Sequence, residues 1–219
     1  MQSHLDQCRY NMVEQQVRPW DVLDDKVLNT LEQIPRDQYV PSQYSNLAYA
    51  DTAIPLNDQQ HMMHPILEGR ILQLLDIQPE DNVLEVGTGS GFLTACLAHL
   101  ACHVESVEID ADLAEAAQQR LQKHAIQNVS ISCGNGLELN NPNIKYNVIV
   151  LTGSVSEVPE KFTQSLAQNG RMFVVTGSAP AMQAHVITRT GDNCWADESI
   201  FETVLQPLVH GEARPKFNF

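Results

Sequence analysis

Residues 83–92 read Val83-Leu84-Glu85-Val86-Gly87-Thr88-Gly89-Ser90-Gly91-Phe92, and Glu108 closes the next apolar stretch. The short apolar run Val83–Val86 suits a strand buried on both faces of a parallel sheet. Gly87, Gly89 and Gly91 then form a loop that lets a ligand lie against bare backbone. Phe92 to Ala101 continues as a helix whose N-terminus points at that ligand. In a doubly wound sheet a carboxylate about twenty residues beyond such a loop accepts ribose hydroxyls, and Glu108 falls there. A glycine turn alone would say little, but Glu85, Glu108 and the strand–helix–strand rhythm around them point to a ligand carrying a nucleoside.

The composition bounds the rest. A chain of 219 residues is long enough for one substantial α/β domain with an added segment. The 43% hydrophobic content with modest charge fits a soluble globular protein. No apolar run approaches the roughly twenty residues that span a bilayer. The N-terminus Met1-Gln2-Ser3-His4-Leu5-Asp6 has no apolar signal core, so a cytoplasmic, membrane-free protein is expected, monomeric by default. Cys8, Cys96, Cys102, Cys133 and Cys194 are odd in number and scattered, and Cys96 and Cys133 lie in predicted core elements. Buried free thiols are therefore expected in place of disulfides or metal ligands. A net charge of −14, from 13 basic and 27 acidic residues without a basic run, argues against nucleic acid as a partner, because such a grip needs clustered Lys and Arg.

Along the chain, residues 5–17 pattern as a helix ended by Arg18-Pro19-Trp20. Asp24 caps a second helix with Val27, Leu28, Leu31 and Ile34 on its apolar face, and Pro35 stops it. Residues 35–64 form a long irregular stretch, which in a compact domain signals function. Pro65 suits the first turn of a helix to Leu75. The pattern then predicts strand 83–86, helix 92–101, strand 103–109, helix 111–124, strands 129–132 and 147–152, helix 159–168 ended by Gly170, and strand 171–176. Residues 185–190 and 194–205, around the turn Gly191-Asp192-Asn193, read as antiparallel strands. The expected fold is α/β: a doubly wound, mostly parallel sheet with an N-terminal helical segment and antiparallel C-terminal strands. Residues 1–64 are expected to carry the helices and a substrate-facing loop, and 65–219 the ligand-binding domain.

The glycines alternate, and Phe92 stands where the dinucleotide fingerprint has its last glycine. With Glu85 two positions upstream, the segment resembles motif I of the S-adenosylmethionine methyltransferases more than a nicotinamide or flavin site. That ligand has no pyrophosphate, but has an ammonium and a sulfonium that favour nearby carboxylates. The resemblance implies a Rossmann-like methyltransferase with S-adenosylmethionine held by Glu85, Gly87, Thr88, Gly89, Ser90, Gly91, Glu108, Ile109, Asn135 and Gly136.

Further segments narrow the resemblance. Ile34-Pro35-Arg36-Asp37-Gln38-Tyr39-Val40-Pro41, Ala48-Tyr49-Ala50-Asp51 and Ile54-Pro55-Leu56 are similar to the N-terminal region of protein-L-isoaspartate O-methyltransferases. Gly134-Asn135-Gly136 stands where that family has Gly-Asp-Gly at the adenine pocket, and Val158-Pro159 with 166–177 resembles its last core helix and strand. The likeness covers about residues 11–178. It implies methyl transfer to the free carboxylate of an isoaspartyl residue in a protein or peptide, the first step of protein repair. The family's substrate segment Gly-x-Gly-Gln-Thr-Ile-Ser-Gln-Pro corresponds to Asn57-Asp58-Gln59-Gln60-His61-Met62-Met63-His64-Pro65. Gln60, His61 and Met63 are thus expected at the acceptor, with His61 at the threonine position and Met63 at the serine position. Met63 has no proton to donate to a carboxylate. Two alternatives stay open beside the isoaspartyl reading: another acceptor with His61 as donor or base, and a protein that binds the ligand without turnover.

Two other constellations carry less. His61 and His64 supply half a coordination shell with no second pair, so no metal is expected. Ser154 and Ser156 lack the G-x-S-x-G elbow of a hydrolase.

Overall fold

The computed structural model describes residues 4–139 and 143–212. It opens with α1 (His4–Asn11), which runs on through a wider π-type turn at Met12–Val17 and a 3-10 turn at Arg18–Trp20. The single helix expected over 5–17 is therefore one continuous helical rod whose second half is wound more loosely; it ends at Asp21, in the left-handed region with φ 63°. In α2 (Asp25–Gln33), the Asp24 side chain accepts from Lys26 N, and Val27, Leu28 and Leu31 are buried. The stretch expected to be irregular contains 3-10 turns at Arg36–Gln38 and Ser42–Leu47 and a hairpin of β1 (Ile54–Pro55) with β2 (His61–Met62). Pro65 sits in the first turn of α3 (Pro65–Leu75).

The core is a seven-stranded sheet of β3 (Asn82–Val86), β4 (His103–Glu108), β5 (Val129–Cys133), β6 (Tyr146–Leu151), β7 (Leu166–Ser178), β8 (Ala181–Gly191) and β9 (Cys194–Glu202), in the order β5-β4-β3-β6-β7-β8-β9. Strands β3 to β6 and the β6–β7 pair are parallel; β8 and β9 complete the sheet antiparallel. Helices α4 (Phe92–Leu100), α5 (Ala111–Lys123) and α6 (Glu160–Ser165) make the crossovers. The sequence order reverses beside β3, so the crevice at the carboxyl ends of β3 and β6 is the topological switch point.

Two expectations are corrected. The helix expected over 159–168 ends at Ser165, and Gly170 lies inside β7. Leu166 is fully buried and pairs with Tyr146 across a register shift, so this segment joins the sheet before the regular ladder begins at Arg171. Cys133 is exposed, because β5 is the sheet's edge strand; Cys96, on α4, is buried as expected.

One apolar cluster runs from Met12, Leu31 and Tyr39 through Ile71 and Phe92 to Val148 and Phe173, so the N-terminal elements pack onto the same core as the sheet. Inside it lies an ion pair. Arg36, fully buried, donates Nη1 to Glu68 Oε2 and Nη2 to the Met63 carbonyl at 2.7 Å, and its guanidinium carbon lies 4.8 Å from the Phe92 ring centroid. Burial pushes the Glu68 carboxyl up to about 7 although Arg36 pulls it down. Removing one partner of such a pair leaves an uncompensated polar group in the core. Arg36→Met is expected to cost about 3–5 kcal/mol in urea unfolding, and adding Glu68→Leu to recover much of that loss. A double variant whose loss equals the sum of the losses from Arg36→Met and Glu68→Leu alone would show that the pair is not coupled.

Candidate functional site

A cavity of about 640 Å³ opens at the switch point. Its floor is the glycine loop. Gly87 has φ 99°, and a Cβ there would collide with the Thr152 side chain, whose Oγ1 donates to the Val86 and Gly87 carbonyls at 2.9 and 2.7 Å. Gly91, at φ 83°, turns the chain into α4, with the space for its missing Cβ taken by Ala117 at 3.1 Å. Both positions need glycine for conformation and for room.

Glu108 stands at the end of β4 on the cavity wall, only 3% exposed. Its Oε2 accepts from Gly89 N at 2.8 Å and its Oε1 from Asp110 N at 3.0 Å. The carboxylate therefore braces the loop while keeping lone pairs for hydroxyl donors in the cavity. Ile109 and Gly136 complete that side, and a Cβ on Gly136 would run into Val86. Asn135 lines the cavity too, but its Oδ1 accepts from Leu137 N at 3.0 Å to cap the turn Gly136–Glu138. One lone pair of that carbonyl is thus committed locally, leaving the other for a ligand amino group.

Four residues expected at the ligand lie elsewhere. Glu85 is fully buried beneath the loop; its Oε2 accepts from Thr94 Oγ1 and from Ser106 Oγ, each at 2.6 Å. Ser106 has one proton, so the 2.6 Å bond from Thr88 to Ser106 runs with Thr88 as donor. Glu85 and Thr88 are therefore one buried network that ties β3, β4, α4 and the loop together. Ser90 accepts from Phe92 N at 3.2 Å within the turn, and Gly91 packs against Ala117. Thr88 and Ser90 alternate with Gly87 and Gly89 and turn inward, while Glu85 lies on β3 beneath the loop and Gly91 is taken up at the start of α4. Burial pushes Glu85 up to about 8, and Glu108 adds to the rise, against the two hydroxyl donors.

The β1–β2 hairpin brings Leu56, Gln60 and His61 to the cavity's open side. Asn57 holds its turn, accepting from Gln59 N and Gln60 N at 2.9 and 2.7 Å and donating to Asp110 Oδ2 at 3.0 Å. A second cavity, about 550 Å³, lies beyond His61 and is lined by Trp20, Met62, Met63, Leu67, Arg70 and Phe201 among others. His61 and Gln206 line both cavities. Met63 is 9% exposed and reaches only the second one. His61 Nδ1 lies 2.9 Å from Gln206 Oε1, and His64 Nδ1 lies 3.5 Å from Asp51, so each histidine has its own local partner. Among the described residues no group of three or more His, Cys, Asp or Glu is arranged to hold a metal ion.

Sequence reasoning missed the tail. Residues 206–212 close the first cavity through Gln206, Pro207, Leu208 and His210. They are held against the end of β6: Ser154 N donates to Gln206 O and Leu208 N to Ser154 O, both at 2.9 Å, and buried Ser154 Oγ donates to Leu205 O at 2.8 Å. Leu208 packs where a Cβ on Gly153 would come within 2.9 Å of it. The tail has no repeat, glycine pattern or charge run to mark it; Ser154, a weak hydrolase candidate, is its anchor.

A parallel switch-point sheet finished by two antiparallel strands, with a glycine loop braced by a strand-end carboxylate, is the Rossmann-like methyltransferase fold. A crystal structure of a Plasmodium falciparum protein described as a protein-L-isoaspartate O-methyltransferase, in complex with S-adenosyl-L-homocysteine, matches it with a TM-score of 0.81 at 22% identity, covering 92% of this chain and 98% of that one. The sequence model of protein-L-isoaspartate(D-aspartate) O-methyltransferase matches residues 8–213, and the chain belongs to that family. Relatives named protein-L-isoaspartate O-methyltransferase include one from Aliivibrio fischeri, 32% identical over 204 residues (93% of this chain, 97% of the relative). Another, from Koribacter versatilis, is 36% identical over 181 residues (83% and 81%).

The Glu85 network makes a stability prediction. Native Glu85 keeps its proton to about 8, whereas the unfolded chain releases it near the usual 4.5. Between those values the unfolded state binds fewer protons, so stability falls as pH rises. Glu85→Gln is expected to flatten that decline, leaving the part due to Glu68, whose shift to about 7 has the same sign. A slope unchanged in the variant, followed by denaturant melts across the window, would place the charge on Glu85 in the native state.

Proposed function

We propose that the protein transfers a methyl group from S-adenosylmethionine to a carboxylate oxygen of isoaspartyl residues in proteins or peptides, as its relatives are named. The observation that carries this reading is the bracing of the glycine loop by Glu108 at the sheet's switch point. It leaves a carboxylate for a ribose, bare backbone at Gly87 and Gly89, and an adenine-sized recess at Ile109, Asn135 and Gly136. On this reading the ligand-binding domain after residue 64 carries most of the donor cavity, and the segment before it brings the substrate-facing hairpin, with Gln60 and His61 on the first cavity and His61 and Met63 on the second. Free cysteines at all five positions suit a reducing cytoplasm, and no described helix is long and apolar enough to cross a membrane.

The donor supplies a methyl on a sulfonium, and the chain's own residues have to orient the acceptor. A carboxylate with a pKa near ~4 is ionised at neutral pH and needs no base. Rate then comes from holding one oxygen in line, which takes a hydrogen-bond donor. Met63 offers none, and the Arg36 guanidinium beneath it is already given to Glu68 and the Met63 carbonyl. Gln60 and His61 on the first cavity and Arg70 on the second are side chains able to donate, and a second reading, an acceptor other than a carboxylate, is favoured by the bond that already occupies His61 Nδ1.

Two outcomes are expected. In calorimetry with S-adenosylhomocysteine, Glu108→Ala loses more affinity than Asn135→Ala, since it removes a charged acceptor and releases the Gly89 amide; equal losses would mean that the ribose site is elsewhere. With an isoaspartyl peptide, turnover is slower by roughly one to two decades than in relatives with both hydroxyls, because one positioning hydrogen bond to a charged group is worth about 1.5–3 kcal/mol. His61→Thr with Met63→Ser raises it. Unaltered turnover equal to that of the hydroxyl-bearing relatives would refute the orientation account.

A further inference from the structure

The described arginines other than Arg70 are all engaged. Arg9 pairs with Asp6, Arg18 with Glu14, Arg36 with Glu68 and Arg171 with Asp81, while Arg120 and Arg189 donate to the carbonyls of Ser90 and Leu166. Arg70 is the exception: among the described residues it has neither an ion pair nor a hydrogen bond. It stands on the wall of the second cavity, with its guanidinium carbon 3.6 Å from the Phe201 ring centroid. Burial pulls its pKa down, and Asp21 offsets part of that fall. Ile66, Leu67 and Arg70 share the face of α3 that forms this wall. The Cα–Cβ bond of Arg70 leans toward the helix N-terminus, the end that joins the hairpin carrying His61.

We infer that Arg70, stacked on Phe201, binds the isoaspartyl carboxylate that accepts the methyl group. This rests on the function proposed above and names the charged donor for its acceptor side. The carboxylate enters at the junction of the cavities, where His61 and Gln206 line both. A cavity of about 550 Å³ is on the order of 10 Å across, comparable with one arginine side chain and the carboxylate it holds. In the transfer a carboxylate oxygen forms a bond to the methyl carbon, and the methyl–sulfur bond breaks with its electron pair returning to sulfur. No proton moves. The anion becomes a neutral ester, so the ion pair with Arg70 is lost and the product is held more weakly than the substrate.

The other groups at hand are weaker holds on an anion. Met63 has no proton to donate, and Arg36 is given to Glu68 and the Met63 carbonyl. Gln60 and His61 can donate, but a neutral hydrogen bond is weaker than a charge-assisted one, and His61 Nδ1 already lies 2.9 Å from Gln206 Oε1. A guanidinium presents a planar fork that meets both oxygens of a carboxylate. Stacking on an aromatic face uses its plane and leaves its N–H edge for a partner. The carboxylates on the same wall leave Arg70 without a pair: Asp51 faces His64 at 3.5 Å, and Glu202 makes no ion pair with it. Met62, Met63 and Leu67 add apolar surface, which strengthens a charge pair formed beside it. Every isoaspartyl residue in a chain brings one such anion, whatever its neighbours, so the pairing reads the damaged residue and not the flanking sequence.

The test is calorimetry on protein saturated with S-adenosylhomocysteine, using one isoaspartyl peptide and the same peptide with that carboxylate replaced by a carboxamide. Wild-type protein is expected to bind the carboxylate peptide about tenfold to a hundredfold more tightly than the carboxamide. Arg70→Met keeps the apolar stem and brings the carboxylate peptide down to the affinity of the carboxamide, whose own binding changes by less than about threefold. Arg70→Lys recovers part of the preference, because the charge returns without the fork. Affinity for S-adenosylhomocysteine is unchanged in both variants, which reports an intact fold and donor cavity. In methyl transfer, KM for the isoaspartyl peptide rises in Arg70→Met by the factor lost in binding, and KM for S-adenosylmethionine does not move. A carboxylate preference that survives Arg70→Met, or an equal loss on both peptides, would overturn the inference and leave the proposed function standing. So would wild-type protein that esterifies the isoaspartyl peptide yet binds both peptides alike. Wild-type protein that binds S-adenosylhomocysteine but esterifies no isoaspartyl peptide would overturn the proposed function itself.

Discussion

The buried carboxyl of Glu85 is the constraint on which the site depends. It lies beneath the glycine loop at full burial, where its charged form is disfavoured, and is reached by hydroxyls from α4 and β4. Through Ser106 it also governs Thr88, so three elements and the loop share one set of protons. A loop of three glycines has little to hold its shape by packing. Here its conformation is set from below by this network and from the side by Glu108 on the Gly89 amide and Thr152 on the Gly87 carbonyl. Hydrogen-bonded networks in a low-dielectric core specify an arrangement in a way that apolar packing does not, although only Oε2 of Glu85 takes part and its buried Oε1 has no partner. The two glutamates divide the work: Glu85 is buried and structural, and Glu108 braces the loop and remains at the cavity.

The acceptor side is built on different terms. Its wall comes from the short β1–β2 hairpin, the N-terminal turn at Trp20, the start of α3, and the end of β9 with the tail that follows it. The hairpin and the tail are fixed by a few specific bonds: Arg36 on the Met63 carbonyl, Asn57 on the hairpin turn and on Asp110, Ser154 on the Leu205 carbonyl. Arg36 couples this wall to the core, since the guanidinium that holds Met63 in place also neutralises Glu68 against α3. A change that weakens the ion pair therefore reaches the acceptor through the backbone, without touching the donor cavity.

The sheet was legible because its strands are short apolar runs between helical stripes, and Glu108 and the glycine loop because their spacing is set by the fold. The alternation of the loop also held the information that was misread. Gly87 and Gly89 face the cavity while Thr88, Ser90 and Glu85 face the core, a distinction of side-chain direction that spacing alone does not carry. Asp24 as a cap and Pro65 in the first turn of α3 are local rules and were readable as such. The end of α6 was not, since the register shift that draws Leu166 into the sheet beside Tyr146 is a tertiary event. Gln206 was invisible for the same reason: its role arises from a contact with His61 across 145 positions.

That contact separates two properties the family resemblance joins. The donor cavity is defined by backbone and by carboxylates on regular strands, so membership in the family predicts it well. The acceptor side is lined instead by side chains from the hairpin, α3 and β9, and at the junction of the two cavities His61 Nδ1 lies 2.9 Å from Gln206 Oε1. A hydroxyl at position 61 would donate to a carboxylate with no partner needed. An imidazole does so only when charged, because Gln206 already takes its Nδ1 proton, and when neutral it accepts instead. Position 61 can therefore change the hydrogen-bonding character of the cavity junction without moving the backbone, and the family fold and donor cavity do not depend on it.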